Sequence, residues 1–491
     1  MMQQLTAARA VRTGIGRSAT VIAPWANRRD ADDLARLSPA LGTALGAEVR
    51  ADLIGDIDLA AARTRVAGPV IFSLRSTAYQ GAATDGPQAR SQRLTSAAAR
   101  GFDLVDLEFD HDLVPDVLAE IPAPRRLVSW HGTVSELRTH IAKMTAVPAA
   151  MYRLTVAAQS FVDALQPLQL LATLHRDDVT AFGTGPAAAF GRVLAPWFGA
   201  PVVFGGSDGP ATRELLTDYP FPRLPSLDGL YGIVNRSLGT SKFLSRVNRA
   251  FATLGLPYLY LPFVVADAAE LRDRFWPAIT SDGLGVPVRG LTVAAPYKPA
   301  ALAAADAADR SAQDAQAANL VLRRGRRWHA ATTDGAAMLS ALLAKRPVTG
   351  CYAAVVGCGA AGRSAAYALT TAGAHVTLVN RDPHRGRFAA RLLGLPLVEL
   401  TAFSPDQYDV IVHATPAPAP FDVDRVAAGS TVVDFVCAAE PTALITAARR
   451  RGLAAIDGHE VLAREVGHQF HLMTGRPMPD LHDPVTPDPP R

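Results

Sequence analysis

Ala353-Ala354-Val355-Val356-Gly357-Cys358-Gly359-Ala360-Ala361-Gly362 decides how this chain is read, together with Val376-Thr377-Leu378-Val379-Asn380-Arg381 further on. A short apolar run ends in G-x-G-x-x-G, and a helix-prone stretch runs from Arg363 to Ala372. After Gly373 a second apolar run ends in a polar pair. In order this is strand, glycine turn, helix, strand. The glycines let the backbone turn sharply, approach a pyrophosphate and seat the helix on the strand. The helix N-terminus then offers free N–H groups to phosphate. Gly357, Gly359, Ala361 and Gly362 are therefore the expected nucleotide cradle. A glycine-rich turn without a ligand is the plainer alternative, and the presence of both flanking strands speaks against it.

The polar pair selects the nucleotide. A site for NAD places Asp or Glu at the end of the second strand, on the ribose 2′-hydroxyl. Here Asn380-Arg381 stand there, with Arg385 and Arg387 close behind. Guanidinium groups grip a 2′-phosphate bidentately, so NADP is expected, with NAD as the alternative. Asp382 opposes this, since a carboxylate repels phosphate and could hold a ribose hydroxyl instead.

The 491 residues suffice for two to four domains, each with its own core. Net charge is only +4 and the basic residues are mostly scattered arginines, so nucleic acid is not an expected partner. Lysine occurs only at Lys143, Lys242, Lys298 and Lys345, which makes each position informative. Cys351, Cys358 and Cys437 are too few and dispersed for a disulfide framework or a metal site, and point to a reducing, cytoplasmic setting. No apolar run is long enough for a bilayer, so no membrane partner is expected. Arg9, Arg12 and Arg17 with no acid before Asp30 faintly suggest a transit peptide; a flexible extension over residues 1–19 is the expectation. The proline-rich end, with residues 479–491 as its last part, is expected to be a flexible tail.

From about residue 20 to 215, apolar runs alternate with helix-length segments. The runs are Val21–Pro24, Glu48–Leu53, Val70–Leu74, Leu104–Phe109, Leu127–Trp130, Tyr152–Val156, Val179–Phe182 and Val202–Phe204. Such a series argues for a (β/α)₈ barrel with its site at the C-terminal strand ends. Polar groups gather there: Glu48, Arg50, Asp52, Arg75, Asp106, Glu108, His131, Arg153 and Arg192. Charges in a barrel mouth must pair with each other or meet a ligand.

Glu48-Val-Arg50-Ala-Asp52, Phe72-Ser-Leu-Arg75, Asp106-Leu-Glu108 and Ser129-Trp-His131 resemble the motifs of type I 3-dehydroquinate dehydratase; Phe182-Gly-Thr-Gly185 with Arg192 matches more loosely. The resemblance implies a pocket built from Glu48, Arg50, Arg75, His131, Arg153 and Arg192. In that family a lysine on the sixth strand forms a Schiff base and a histidine shuttles protons. His131 is kept, but the lysine position reads Arg153, whose guanidinium offers no nucleophilic amine. The acid expected after Arg75 has become Tyr79-Gln80, and the substrate lid has become Asp208-Gly-Pro210-Ala-Thr212. The dehydratase half is expected to be inactive or to run a non-covalent chemistry.

After the connector Tyr219-Pro-Phe-Pro-Arg-Leu-Pro225, residues 229–478 resemble shikimate dehydrogenase. The resemblance makes Lys298, ending the P-[YFL]-K motif, the catalytic lysine and Asp334, in Thr332-Thr333-Asp334-Gly335, its partner. Asn380-Arg381-Asp382 fills the cofactor motif, and His413-Ala414-Thr415-Pro416 the segment near the nicotinamide, so Asn380, Arg381, Arg385, Thr415 and Pro416 join the cofactor set. A lysine bonded to an aspartate can protonate the oxygen of a ketone being reduced. Helix capping is the alternative role for Asp334.

The substrate clamp implied by the family is altered. Its S-x-S pair reads Ser241-Lys242-Phe243, and the histidine before it is Thr240. An asparagine has become Thr292, a tyrosine Cys437 and a glutamine Glu465, while Asn319 remains. Thr240, Ser241, Thr292, Asn319 and Glu465 are thus the expected substrate contacts. A carboxylate at a donor position favours a cationic group, so an amino-substituted cyclitol acid stands beside shikimate and quinate as candidate substrate.

The layout expected is α/β throughout: a barrel over 20–217, a substrate-binding domain over 226–335 and a Rossmann NADP-binding domain over 336–478. It matches a fusion of dehydratase and shikimate dehydrogenase. The expected activity is NADP-dependent interconversion of an alcohol and a ketone on a hydroxylated cyclohexene or cyclohexane carboxylic acid. A working bifunctional enzyme and a non-catalytic ligand-binding or scaffolding descendant are the alternatives.

Overall fold

A computed structural model describes residues 17–206, 209–237, 242–281 and 283–481. Most of the two expected flexible ends, residues 1–16 and 482–491, falls outside the described residues. The chain divides into two compact units, Met1–Val288 and Arg289–Arg491.

The first unit contains eight parallel strands: β1 (Thr20–Trp25), β2 (Leu45–Arg50), β3 (Val70–Ser73), β4 (Leu104–Glu108), β5 (Arg126–Gly132), β6 (Met151–Ala157), β7 (Val179–Thr184) and β8 (Val202–Phe204). Neighbours pair in sequence order, and β8 returns to pair with β1, Val21 against Val203. Between β7 and β8 the Thr180 hydroxyl donates to the Val202 carbonyl at 3.2 Å. Strands such as Val70-Ile-Phe-Ser73 are buried at every position, because helices cover the outside while Ile22, Ile71, Leu127, Phe182 and Phe204 fill the inside.

One strand differs from its expected run. The segment expected over Glu48–Leu53 begins at Leu45 and leaves the sheet at Arg50. There Ala51–Ile54 turns helical and stops at Gly55, whose φ of +76° suits only glycine.

Beyond the barrel, β9 (Gly229–Asn235) and β10 (Tyr258–Val264) pair in parallel around a helix, Lys242–Thr253. Phe243, Leu244, Val247, Ala250 and Phe251 make one apolar face, all buried. Phe243 stacks on Tyr260 with ring centroids 5.5 Å apart. The ring that replaces a clamp hydroxyl is therefore part of the core.

The cut at Val288 falls inside the expected 226–335 domain, and packing explains it. Phe161 and Phe190, from barrel helices, share a fully buried cluster with Phe263 and Phe275, which follow the connector. Phe161 lies 4.9 Å from Phe190 and 4.6 Å from Phe275 between centroids, and Phe263 lies 5.4 Å from both Phe190 and Phe275. Glu270 adds a carboxylate that accepts from the Phe161 N–H at 2.9 Å.

The second unit opens with β11 (Val288–Val293), antiparallel to β13 (Leu320–Arg324), which turns tightly into β14 (Arg327–Ala331). A two-residue strand, β12 (Ala307–Ala308), runs parallel to β14. The helices that matter here are α1 (Lys298–Ala304), α2 (Asp334–Leu343), α3 (Ala360–Thr371) and α4 (Gly458–Thr474). A six-stranded parallel sheet follows: β15 (Tyr352–Val356), β16 (His375–Asn380), β17 (Leu397–Glu399), β18 (Val410–His413), β19 (Thr431–Asp434) and β20 (Ala454–Ile456). Its order, β17-β16-β15-β18-β19-β20, reverses between β15 and β18, which is where a doubly wound sheet opens a ligand crevice. Helix α3 starts at Ala360, not at Arg363, so its first turn lies within the glycine motif.

Among the described residues no helix is long and apolar enough to cross a membrane.

Phe161→Ala should cost about 3–5 kcal/mol, the usual result of emptying a large aromatic site. Because the ring lies between barrel helices and the segment after the connector, chemical denaturation should show both parts of the first unit losing stability together. A loss confined to one part would contradict this packing.

Candidate active site

Lys298 and Asp334 meet because two chain turns converge at the end of β11 and β14. Lys298 opens α1, and its carbonyl accepts from the Ala318 N–H at 2.9 Å, tying that turn to the residue before Asn319. Asp334 opens α2, where a carboxylate in the first turn complements the helix dipole. Thr333 holds the N-cap position, and both Asp334 oxygens are used elsewhere. Lys298 Nζ donates to Asp334 Oδ2 at 2.6 Å, and Asn319 Nδ2 donates to Asp334 Oδ1 at 2.9 Å. Capping is thus not the work of this carboxylate.

Helix α4 supplies the rest. Glu465 Oε1 accepts from Asn319 Nδ2 at 2.9 Å and from Gln469 Nε2 at 3.2 Å. Gln469 also donates to Thr333 Oγ1 at 3.0 Å, and its Oε1 accepts from the Thr292 hydroxyl at 2.6 Å. The Thr333 N–H donates to Asn319 Oδ1 at 2.7 Å. Thr292, Asn319, Thr333, Asp334 and Gln469 are all buried, so each of these bonds stands in place of water.

Burial works against a charge on Lys298. The Asp334 carboxylate, and behind it Glu465, nevertheless hold its ammonium above the ordinary lysine range. Burial, and then repulsion from Asp334, push the Glu465 carboxyl up to about 7, against the pull of Lys298 and the Asn319 bond.

The sequence reading did not single out Gln469 or Thr333. Gln469 was legible as the residue four after Glu465, hence on the same helix face. Thr333 was hidden by its position beside Asp334. Thr240 and Ser241 lie outside the described residues, as does Asp208 of the altered barrel lid.

The dyad's helix lies against α3, where the Gly335 N–H donates to Ser364 Oγ at 2.8 Å, and the glycine motif that opens α3 is shaped by contact. A Cβ on Gly362 would lie 1.8 Å from the Gly357 carbonyl oxygen, and one on Gly357, at φ +108°, 2.5 Å from the Thr415 methyl. A Cβ on Gly359 would meet nothing within 4 Å. Two glycines therefore close the turn and the third leaves space beside the α3 N-terminus, as a bound pyrophosphate requires.

Thr415 is held from behind. His413, fully buried at the end of β18, places Nδ1 2.9 Å from Asp434 Oδ1 and Nε2 2.6 Å from Thr415 Oγ1. A carboxylate only accepts, so Nδ1 donates, which leaves Nε2 to accept from the threonine. Asp434 takes a further bond from the Thr442 hydroxyl at 2.6 Å. Despite burial, these bonds hold its carboxyl below the usual range. Pro416 is exposed beside Thr415.

Asn380 Oδ1 accepts from the Cys358 N–H at 3.2 Å, and Arg381 and Arg385 are exposed near it in sequence. Asp382 accepts from the His384 and Arg385 N–H groups at 2.8 and 3.3 Å, as the N-cap of the following helix. That use of its carboxylate competes with holding a ribose hydroxyl; its charge remains, with Arg385 Nε 3.7 Å away.

In the barrel, four of the mouth residues, Glu48, Arg75, Asp106 and Arg153, are drawn into one ion ladder. Arg153 Nη1 donates to Glu48 Oε1 at 2.7 Å, its Nη2 donates to Asp106 Oδ2, and Asp106 accepts from the Ser73 hydroxyl at 2.8 Å. Arg75 reaches Glu48 at 3.3 Å. Burial opposes ionisation of Glu48, yet Arg153 and Arg75 keep its carboxyl far below the usual range. Arg50 grips Asp52 through two bonds of 2.8 and 2.7 Å. His131 faces the Tyr79 ring, centroids 4.9 Å apart. Arg192 comes from a helix, Ala189–Leu194, and its guanidinium stacks over Phe182 at 4.6 Å. A second cluster went unnoticed in the sequence: Arg90 pairs with Asp112 at 2.6 Å and with Glu108 at 3.2 Å.

Comparison with known proteins adds the relations. A family model for type I 3-dehydroquinase matches residues 29–214. The bifunctional 3-dehydroquinate dehydratase/shikimate dehydrogenase of Arabidopsis thaliana, a chloroplastic protein, is 24% identical over 88% of this chain and 78% of its own length. The shikimate dehydrogenase (NADP(+)) of Anaeromyxobacter sp. strain Fw109-5 is 31% identical over 51% of this chain and 92% of its own. Among solved structures, shikimate 5-dehydrogenase from Thermus thermophilus in complex with NADP(H) and shikimate is similar, at 27% identity and a TM-score of 0.47, over 51% of this chain and 95% of its own.

Two measurements test these geometries. Arg153→Met removes the cation and leaves Glu48 and Asp106 facing each other without it, so it should cost about 3–5 kcal/mol in denaturant titration; a change under about 1 kcal/mol would refute the ladder. Glu465 binds its proton more tightly folded than unfolded, so the stability it contributes is present below the ordinary carboxylate range and lost as pH rises through about 7. Thermal melts of Glu465→Gln against the parent should therefore favour the variant more at pH 8 than at pH 5.

Proposed function

The chain belongs to the shikimate dehydrogenase family, and on that footing we propose that it is an NADP-dependent oxidoreductase interconverting 3-dehydroshikimate and shikimate, or the ketone and alcohol of a related carbocyclic acid. The observation that carries this reading is the 2.6 Å contact of Lys298 Nζ with Asp334, whose other oxygen is fixed by Asn319. NADP, when bound, supplies or accepts the hydride. Gly357, Gly359 and Gly362 with the α3 N-terminus are the groups for its pyrophosphate, Arg381 and Arg385 for its 2′-phosphate, and Thr415, braced by His413, for the end near the reacting ring.

The protein's own contribution is the proton. In ketone reduction the Lys298 ammonium donates a proton to the oxygen that gains charge; in alcohol oxidation its neutral amine takes that proton back. Asp334 keeps the amine in place and favours its charged form, so the donor is ready across neutral pH. Asn319 prevents Asp334 from turning away. Thr292 and Gln469 belong to the same network and are the hydroxyl and amide of this unit that we assign to a polyhydroxylated ring.

The barrel we read as inactive in dehydration. No amine stands at Arg153, and its guanidinium is committed to Glu48 and Asp106. Retention of His131 is the one feature favouring a dehydratase that works without the lysine, and a direct assay for loss of 3-dehydroquinate decides it: turnover would overturn the inactive reading. A count of three cysteines, too few for a disulfide framework, fits a reducing compartment, the cytoplasm.

Lys298→Met should lower kcat about 10²–10⁴-fold, the usual worth of a positioned proton donor, with a much smaller change in KM. Oxidation of the alcohol should climb with pH into the alkaline range, because Lys298 must first lose a proton it holds tightly. Asp334→Asn should move that climb to lower pH. Full turnover by Lys298→Met on the best substrate would end the assignment.

A further inference from the structure

Among the described residues, the dyad site holds two carboxylates and one ammonium. Asp334 is matched by Lys298 at 2.6 Å. Glu465 is not matched in this way: its Oε1 has amide partners, Asn319 at 2.9 Å and Gln469 at 3.2 Å, and amides carry no net charge. One Asn319 nitrogen serves both carboxylates, which brings the two acids to neighbouring sides of a single side chain. Lys298 attracts Glu465 as well, but its ammonium lies on Asp334. With both acids ionised the cluster is one negative charge in excess, in a setting where unmatched charge is costly. Two things relieve that excess, a proton on Glu465 or a cation brought by the ligand.

We propose that Glu465 is a specificity-determining residue that selects a carbocyclic acid carrying a ring ammonium in place of one non-reacting hydroxyl. The inference rests on the oxidoreductase reading above and narrows its substrate class. A ring ammonium has three donors and a charge to offer the carboxylate, whereas a hydroxyl offers one donor and no charge. An amide in the place of Glu465 would reverse this, since its NH₂ group donates to hydroxyl oxygens and is indifferent or unfavourable to a cation. The tendency of Glu465 to hold its proton when no cation is present agrees with this site.

The test uses the full-length protein with NADP and two classes of substrate: shikimate, and mono-amino analogues in which one hydroxyl other than the oxidised one is an amine. For the parent protein, kcat/KM on the best amino analogue should exceed that on shikimate by about tenfold or more, the worth of one charge-assisted bond. Glu465→Gln, nearly the same size and able to keep the Asn319 bond through its amide oxygen, should lower that ratio by at least about tenfold, through KM more than kcat, with shikimate the gainer. Glu465→Asp, which keeps the charge but shortens the reach, should retain the preference for the amine.

A ratio unchanged by Glu465→Gln, or a parent protein that prefers shikimate over every analogue, would overturn the proposal while leaving the oxidoreductase reading intact. Turnover of neither class would instead overturn that reading, and this proposal with it.

Discussion

Asp334 has two carboxylate oxygens, and the second unit is arranged around how they are divided. One takes the Lys298 ammonium and the other the Asn319 amide. For both bonds to exist, α1 must begin a few residues after β11, β13 must begin just after Asn319 and α2 must begin at Asp334. Three element boundaries are thereby set by one buried side chain. A carboxylate in such a place is stable only when every oxygen is answered, because the loss of either partner leaves charge without solvent. The same demand extends outward, from Asn319 to Glu465 and Thr333, and from Gln469 to Thr292.

The two parts of the chain use buried charge in opposite ways. In the barrel Arg153 consumes both Glu48 and Asp106, and Arg75 adds to Glu48, so cations and anions are exhausted on each other. Such a ladder can hold strands in register, and it leaves no amine for covalent chemistry. In the dyad site the acids outnumber the cation among the described residues. An excess of that kind is a poor structural device but a useful selective one, since it can be relieved by what binds. The aromatic cluster of Phe161, Phe190, Phe263 and Phe275 gives the barrel a mechanical role as well, because the segment after the connector shares its core.

Much of this was legible from residues close in sequence. The glycine motif is read locally, as each glycine answers to a neighbour a few positions away: Gly362 to Gly357, Gly357 to its own φ. The eight apolar runs are likewise local, and only Glu48–Leu53 ran more than one residue past its strand. Lys298 and Asp334 were found through motifs with fixed spacing. What escaped depended on meetings across long separations. Gln469 meets Thr292, Arg90 meets Asp112, and His413 meets Asp434 with Thr415 on its far side. A glutamine or arginine in a helix carries no local mark of the partner it will find. Asp382 shows the converse, since a carboxylate that seemed to argue against a phosphate turned out to cap its own helix.

The sequence alone determined the alternation of strands and helices, the glycine turn and the loss of an amine at Arg153, because each follows from periodicity or from the chemistry of a named side chain, while the family resemblance singled out Lys298 and Asp334. Tertiary structure alone decided which charges are answered. Pairing depends on distance and burial, and these are properties of residues brought together by the fold. Only there does Arg153 become a strut between two acids, Phe243 a piece of core, and Glu465 a carboxylate answered by two amides.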